Sequence, residues 1–235
     1  MNPLLLAKAF EALKTYDWGM DPNLIKPIDE AIVATHGDAA ARKDLESRLI
    51  EVLKSDVPRA AKDAVCRALR IIGTAAAVPA LAALLADEKL SHMARFALER
   101  IPAPEAGKAL MEALPKVGGK LKIGVTSSLG VRREEAAIAP LQAPLADSDP
   151  AIARAAALAL GAIGSPAANQ ALTAAKANPG TKDAIADSLL ECAENLLTAG
   201  KKPEAKAAYE KLLADNPSKA VKIAATRGLV ACSGG

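Results

Sequence analysis

Leucines recur along this chain in pairs, and the pairs recur about every 30 residues. Leu69 and Leu81, Leu98 and Leu110, Leu129 and Leu141, and Leu160 and Leu172 hold the same two places, always 12 apart (81−69, 110−98, 141−129, 172−160). Between the second and fourth pairs Ile101 and Ile163, Pro104 and Pro166, and Ala106 and Ala168 also match, each 62 apart (163−101, 166−104, 168−106). One leucine falls in a helix A and the other in a helix B, joined by a short turn. A single hairpin of this kind cannot bury its apolar face, but a stack of them can, so the period marks a helical solenoid. The expected fold class is all-α, a right-handed α-solenoid (superhelix) of stacked antiparallel helix pairs.

The apolar spacing predicts A and B helices at 59–72 and 76–86, 89–101 and 104–115, 120–131 and 134–145, and 149–162 and 165–176. Gly118-Gly119 reads as a loose connection before the third pair, and Pro144 is expected to shorten or bend its helix. Pro79, Pro104 and Pro166 fall early in B helices, where a missing N–H costs little. Asp87, Ser91, Asp147, Ser148 and Asp149 stand where N-caps are expected. Before the array, helices are predicted over 3–15, from Pro22 to about Thr35 with Pro27 as a kink, and over 39–54. Residues 1–56 thus form an N-terminal helical cap, 57–176 the array, and 177–235 a helix pair plus a last helix near 218–232. That last helix resembles an A helix with Leu229 in the leucine slot, and the chain then ends Ser233-Gly234-Gly235. An A helix without its B partner is the expectation for a longer solenoid cut here, or for one capped by a partner chain.

Composition agrees with helices and adds few leads. The chain is 51% hydrophobic but only 2% aromatic, so its core must be built from Ala, Leu, Ile and Val. A net charge of +3 implies neither a nucleic-acid nor a membrane partner by itself. Cys66, Cys192 and Cys232 are expected as small buried hydrophobes. No run approaches the roughly 20 apolar residues of a membrane span. The start, Met1 to Ala7, lacks a basic segment and makes a poor signal peptide. If the sequence is complete as given, the chain is expected to be soluble and cytoplasmic; otherwise the compartment stays open.

The motifs Val78 to Asp87 (VPALAALLAD) and Ala153 to Leu172 (ARAAALALGAIGSPAANQAL) resemble HEAT repeats, most nearly the short bacterial type found in phycobilisome lyase subunits. The resemblance covers roughly 57–176. Residues 187–217 resemble a tetratricopeptide repeat, with Leu197, Ala199, Gly200, Glu204, Ala205, Tyr209, Leu212 and Pro217 in that motif's order. The resemblance implies a fold and leaves function open, since HEAT-like repeats serve as scaffolds, lyase accessories, glycosylases and metal oxygenases. HEAT-like hydroxylases carry repeated His-Glu pairs. Here His36 and His92 are the two histidines, and neither precedes a Glu.

No catalytic, cofactor or metal site is therefore expected. Ser127 and Ser128 lack a nucleophile motif, and Gly118-Gly119-Lys120 lacks the spacing of a phosphate loop. The expected function is that of a non-catalytic scaffold that binds an unidentified protein or peptide along its concave face. B helices usually line that face in HEAT-type solenoids, which nominates Lys108, Glu112, Gln142 and Gln170. A nucleic-acid-binding solenoid is the alternative, using Lys108, Lys116, Lys120, Lys122, Arg132 and Arg133. Of these, Lys116, Lys120, Arg132 and Arg133 would share one basic edge. An accessory subunit of a lyase-like enzyme is the third. Trp18, in the aromatic cluster Tyr16-Asp17-Trp18, is expected to plug the end of the solenoid. Arg67, Arg70, Arg95, Arg100, Arg132 and Arg154 suggest a ladder of ion pairs with Asp63, Asp87, Glu99 or Asp149 between repeats.

Overall fold

The leucine pairs close a core exactly where helix periodicity puts them: all eight are buried, from Leu69 and Leu81 through Leu160 and Leu172. The computed structural model describes residues 2–215 and 217–233, and the terminal Gly234-Gly235 lies outside the described residues. The helices are α1 (Pro3–Leu13), α2 (Lys26–Ala34), α3 (Ala39–Lys54), α4 (Arg59–Ile72), α5 (Val78–Ala82), α6 (Ser91–Leu98) and α7 (Pro104–Ala113). They continue as α8 (Gly119–Val131), α9 (Ile138–Leu145), α10 (Pro150–Ile163), α11 (Pro166–Ala174), α12 (Lys182–Thr198), α13 (Lys202–Ala214) and α14 (Lys219–Ser233). Short 3-10 turns precede α5 at Ala75–Ala77 and α9 at Glu135–Ala137, so those B helices begin as tighter coils.

The fold is an α-solenoid of stacked helix pairs, in two compact units, Met1–Val117 and Gly118–Gly235. In the first, α4 packs on α2 and α6 to make an A layer, and α5 packs on α3 and α7 to make a B layer. In the second, α10 lies between α8 and α12, α9 packs on α11, and α13 packs on both α12 and α14. Small residues set the A-layer spacing of this unit. A Cβ on Gly130 of α8 would stand 2.7 Å from the Cα of Ala159 in α10. One on Gly161 of α10 would stand 3.0 Å from Ser188 in α12. Both lie below ordinary van der Waals separation, so only glycine lets these backbones come so close. Gly228 of α14 seats the buried Tyr209 ring in the same way.

Caps and prolines fall mostly as expected. The side chains of Asn2, Asp21, Asp38, Asp149 and Ser165 accept hydrogen bonds from backbone N–H groups at element starts. Pro79, Pro104 and Pro166 sit in the first turn of α5, α7 and α11. A cross-helix cap had no sequence signal. The buried Glu46 of α3 accepts from the N–H of Thr74 at 2.6 Å and from its hydroxyl at 3.0 Å, ahead of α5.

Four expectations need correction. Pro27 does not kink a helix running from Pro22; a 3-10 turn at Pro22–Leu24 ends, and α2 starts afresh with Pro27 in its first turn. Ser91 does not cap α6 but is its buried first residue. Trp18 does not plug the solenoid end, because it is 63% exposed on the loop after α1. Arg70 does not join an ion-pair ladder; its guanidinium lies 4.3 Å over the ring of Phe96.

Candidate partner-binding grooves on the B helices

Each B leucine points into the core, so the flanks of its helix face the neighbouring B helices. With about 100° between residues, the places one, four and five after the leucine form one flank, and those one before, two after and three after form the other. After Leu81 these places are Ala82 and, in the hydrogen-bonded turns that follow α5, Leu85 and Ala86; around Leu110 the second flank is Ala109, Glu112 and Ala113. These six, with Lys116 and Val117, line a cleft of about 140 Å³ in the first unit. After Leu141 the first flank is Gln142, Leu145 and Ala146; around Leu172 the second is Ala171, Ala174 and Ala175. With Lys176 they line a cleft of about 330 Å³ in the second unit. The two grooves therefore use the same six places of the repeat, and each has a lysine at its C-terminal end.

Three of the residues nominated from sequence, Glu112, Lys116 and Gln142, line these grooves. Lys108 and Gln170 each stand two residues before a B leucine and are exposed beside the grooves rather than in them. Lys108 is tied to Glu112 one turn on, at 3.9 Å. Lys176 and the alanine floors were missed. Their signal was available, as alanine recurring at fixed distances from the B leucine.

The basic residues of the second unit do not form one edge. Lys120 lies at the start of α8 and Arg132 caps its end, roughly 18 Å apart at 1.5 Å per residue. Lys122 is paired with Asp147 at 3.5 Å, and the nearly buried Arg132 with Glu134 at 3.6 Å. Arg133 is exposed and has a left-handed backbone, φ 52°. It ends α8 in a tight reverse turn, its N–H donating to the Gly130 carbonyl (2.8 Å) and that of Glu134 to the Leu129 carbonyl (3.1 Å). The same place in the next repeat is Gly164, φ 64°, which meets no such steric penalty.

Other titratable groups are accounted for by burial. Asp63 of α4 is pushed up from the usual carboxylate range because burial outweighs the lowering influence of Arg59, Arg67 and His92. Cys66 and Cys192 are buried, and each thiol is pushed up to about 12, chiefly by loss of solvent. Burial likewise raises Tyr209 to about 12. The Ser127 hydroxyl donates back to the Ile123 carbonyl at 2.9 Å. Among the described residues no three His, Cys, Asp or Glu side chains converge as metal ligands. None of their helices is long and apolar enough to cross a membrane.

Stacked helix pairs with a recurrent groove define a repeat scaffold. Residues 108–190 match the family model of HEAT repeats, so this part of the chain is HEAT-like. None of the curated proteins matches it. Among solved structures it is similar to an engineered protein (18% identity, TM-score 0.43, covering 88% of this chain and 96% of that one). It is also similar to a designed armadillo repeat protein in complex with the peptide (KR)4 (19%, TM-score 0.41, 97% and 99%). A third is human deoxyhypusine hydroxylase in complex with glycerol (16%, TM-score 0.35, 97% and 96%).

Proposed function

We propose that the protein is a non-catalytic scaffold whose B helices hold a protein or peptide partner, with the inter-helix grooves taking partner side chains. One observation carries this reading: the same six register places form a groove in each unit. An accidental gap in packing has no reason to keep register, whereas a surface built by repetition does. The floors are apolar and the rims carry a few polar groups, Glu112 and Lys116 in one, Gln142 and Lys176 in the other, the usual makeup of a recognition cleft. The pair α12–α13 is read as tetratricopeptide-like, from its motif order and the seat of Tyr209 against Gly228.

The test is affinity capture on the intact chain with mass spectrometry, beside Ala113→Glu, Ala174→Glu and, as control, Ser127→Glu on the exposed side of α8. A partner retained by wild type and by the control, but lost with either groove variant, is the expected result. Retention unchanged by both groove variants would remove the grooves from the reading. A salt-sensitive shift with DNA or RNA that vanishes on reversal of Lys120 and Arg133 would replace the partner class with nucleic acid.

A further inference from the structure

The A helices carry a departure from their own repeat that the grooves do not use. The place one residue after the A leucine is Arg70, Glu99, Gly130 and Gly161 in successive repeats. In α8 and α10 it is glycine because the next A helix lies against the backbone there. In α4 it is an arginine, which reaches the next A helix by stacking on Phe96. Beside it, within the first unit, opens a pocket of about 330 Å³ walled by α1, α2, α3, α4 and α6. Its floor is apolar and buried, formed by Leu13, Ile28, Leu49 and Val65. Charged side chains stand over that floor: Arg67 and Arg70, one turn apart on α4, and Asp29 of α2.

Two features point to an anion. The lining groups carry a net single positive charge, two guanidiniums against one carboxylate. The Nε of Arg70 is also buried with no hydrogen-bond partner, while the ring of Phe96 fixes the plane of its guanidinium. A stacked guanidinium keeps its N–H groups at its edge, where they match the two oxygens of a carboxylate. The volume lies at the lower end for small-molecule pockets, and the floor suits a hydrocarbon body.

We propose that this pocket binds a small monoanion with an apolar body, a carboxylate on an aliphatic or aromatic frame. Arg67 and Arg70 hold the carboxylate and the floor takes the frame. The site is separate from the B-helix grooves and does not depend on the partner reading.

Calorimetric titration of the intact chain with octanoate, octanol and octyl phosphate tests it. Octanoate is expected to saturate one site, with octanol at least tenfold weaker and octyl phosphate no tighter than octanoate. Arg70→Met should weaken octanoate at least tenfold and leave octanol unchanged. Equal affinity for octanoate and octanol would mean an apolar void without anion recognition, and would overturn the proposal. So would an absence of saturable octanoate binding, or a preference for octyl phosphate. The wild-type comparison decides even if Arg70→Met does not fold.

Discussion

Gly130→Ala sets two effects of opposite sign against each other. Alanine is the better helix former, by up to about 1 kcal/mol, so on an exposed helix this change would stabilise. Here the new Cβ meets Ala159 of α10 at 2.7 Å from its Cα and 3.0 Å from its Cβ. Ordinary carbon contacts begin near 3.5 Å, so α8 and α10 must part by a sizeable fraction of an ångström. Overpacking of this kind costs about 1–3 kcal/mol. Subtracting the propensity gain leaves a net loss of about 0–2 kcal/mol, at roughly 4 °C per kcal/mol in melting midpoint for a cooperative unit of a little over 100 residues. Urea denaturation followed by far-UV circular dichroism measures it as a lowered midpoint at unchanged slope. Ala159→Gly in the same chain should give little relief, because the shorter approach is to backbone. A midpoint for Gly130→Ala above wild type, the outcome for an unhindered helix site, would refute the close-packing account.

Arg133→Gly should stabilise by about 1 kcal/mol in the same assay, since it relieves a left-handed arginine. Trp18, the single tryptophan, should emit as a solvent-exposed indole and be quenched freely by acrylamide, and Trp18→Ala should move stability by less than about 0.5 kcal/mol. In the folded protein at pH 8 a thiol reagent should label Cys232 well before Cys66 and Cys192, and all three should react alike in denaturant. The buried thiols sit near 12 against an ordinary 9.0. Their contribution to stability is therefore complete below about pH 9 and lost as pH rises from 9 towards 12; Cys66→Ala should flatten that part of the pH profile.

The leucine spacing carried the fold because a repeat states the same instruction several times. Each copy of the pair at 12 residues confirms the others, and the helix limits follow from glycine and proline between them. Exceptions within the repeat were harder to read. Trp18 looks like a plug because large aromatics are usually buried, yet nothing in a sequence says whether a loop folds inward. Arg67 and Arg70 look like members of an ion-pair series, because helical spacing does not reveal that Phe96 lies opposite. The charges from Lys108 to Arg133 are contiguous in sequence, but α8 carries Lys120 and Arg132 to opposite ends. Glu112 and Gln142 came within reach from the B-helix rule and Lys116 from the run of basic residues, whereas the alanines between them drew no notice for want of any functional group.

Those alanines matter for how binding energy would be spent. A groove floored by Ala82, Ala86, Ala109 and Ala113, or by Ala146, Ala171, Ala174 and Ala175, has no side-chain rotamers to freeze when a partner arrives. The alanines' share of the ordering cost is then close to nil, and the loss of freedom falls on the partner and on the few longer side chains at the rim. A floor of methyl groups also discriminates little between partners. Selectivity would rest on the rim, where Glu112, Lys116, Gln142 and Lys176 can each be exchanged without disturbing a buried leucine. Such a surface separates the residues that hold the fold from those that choose the partner.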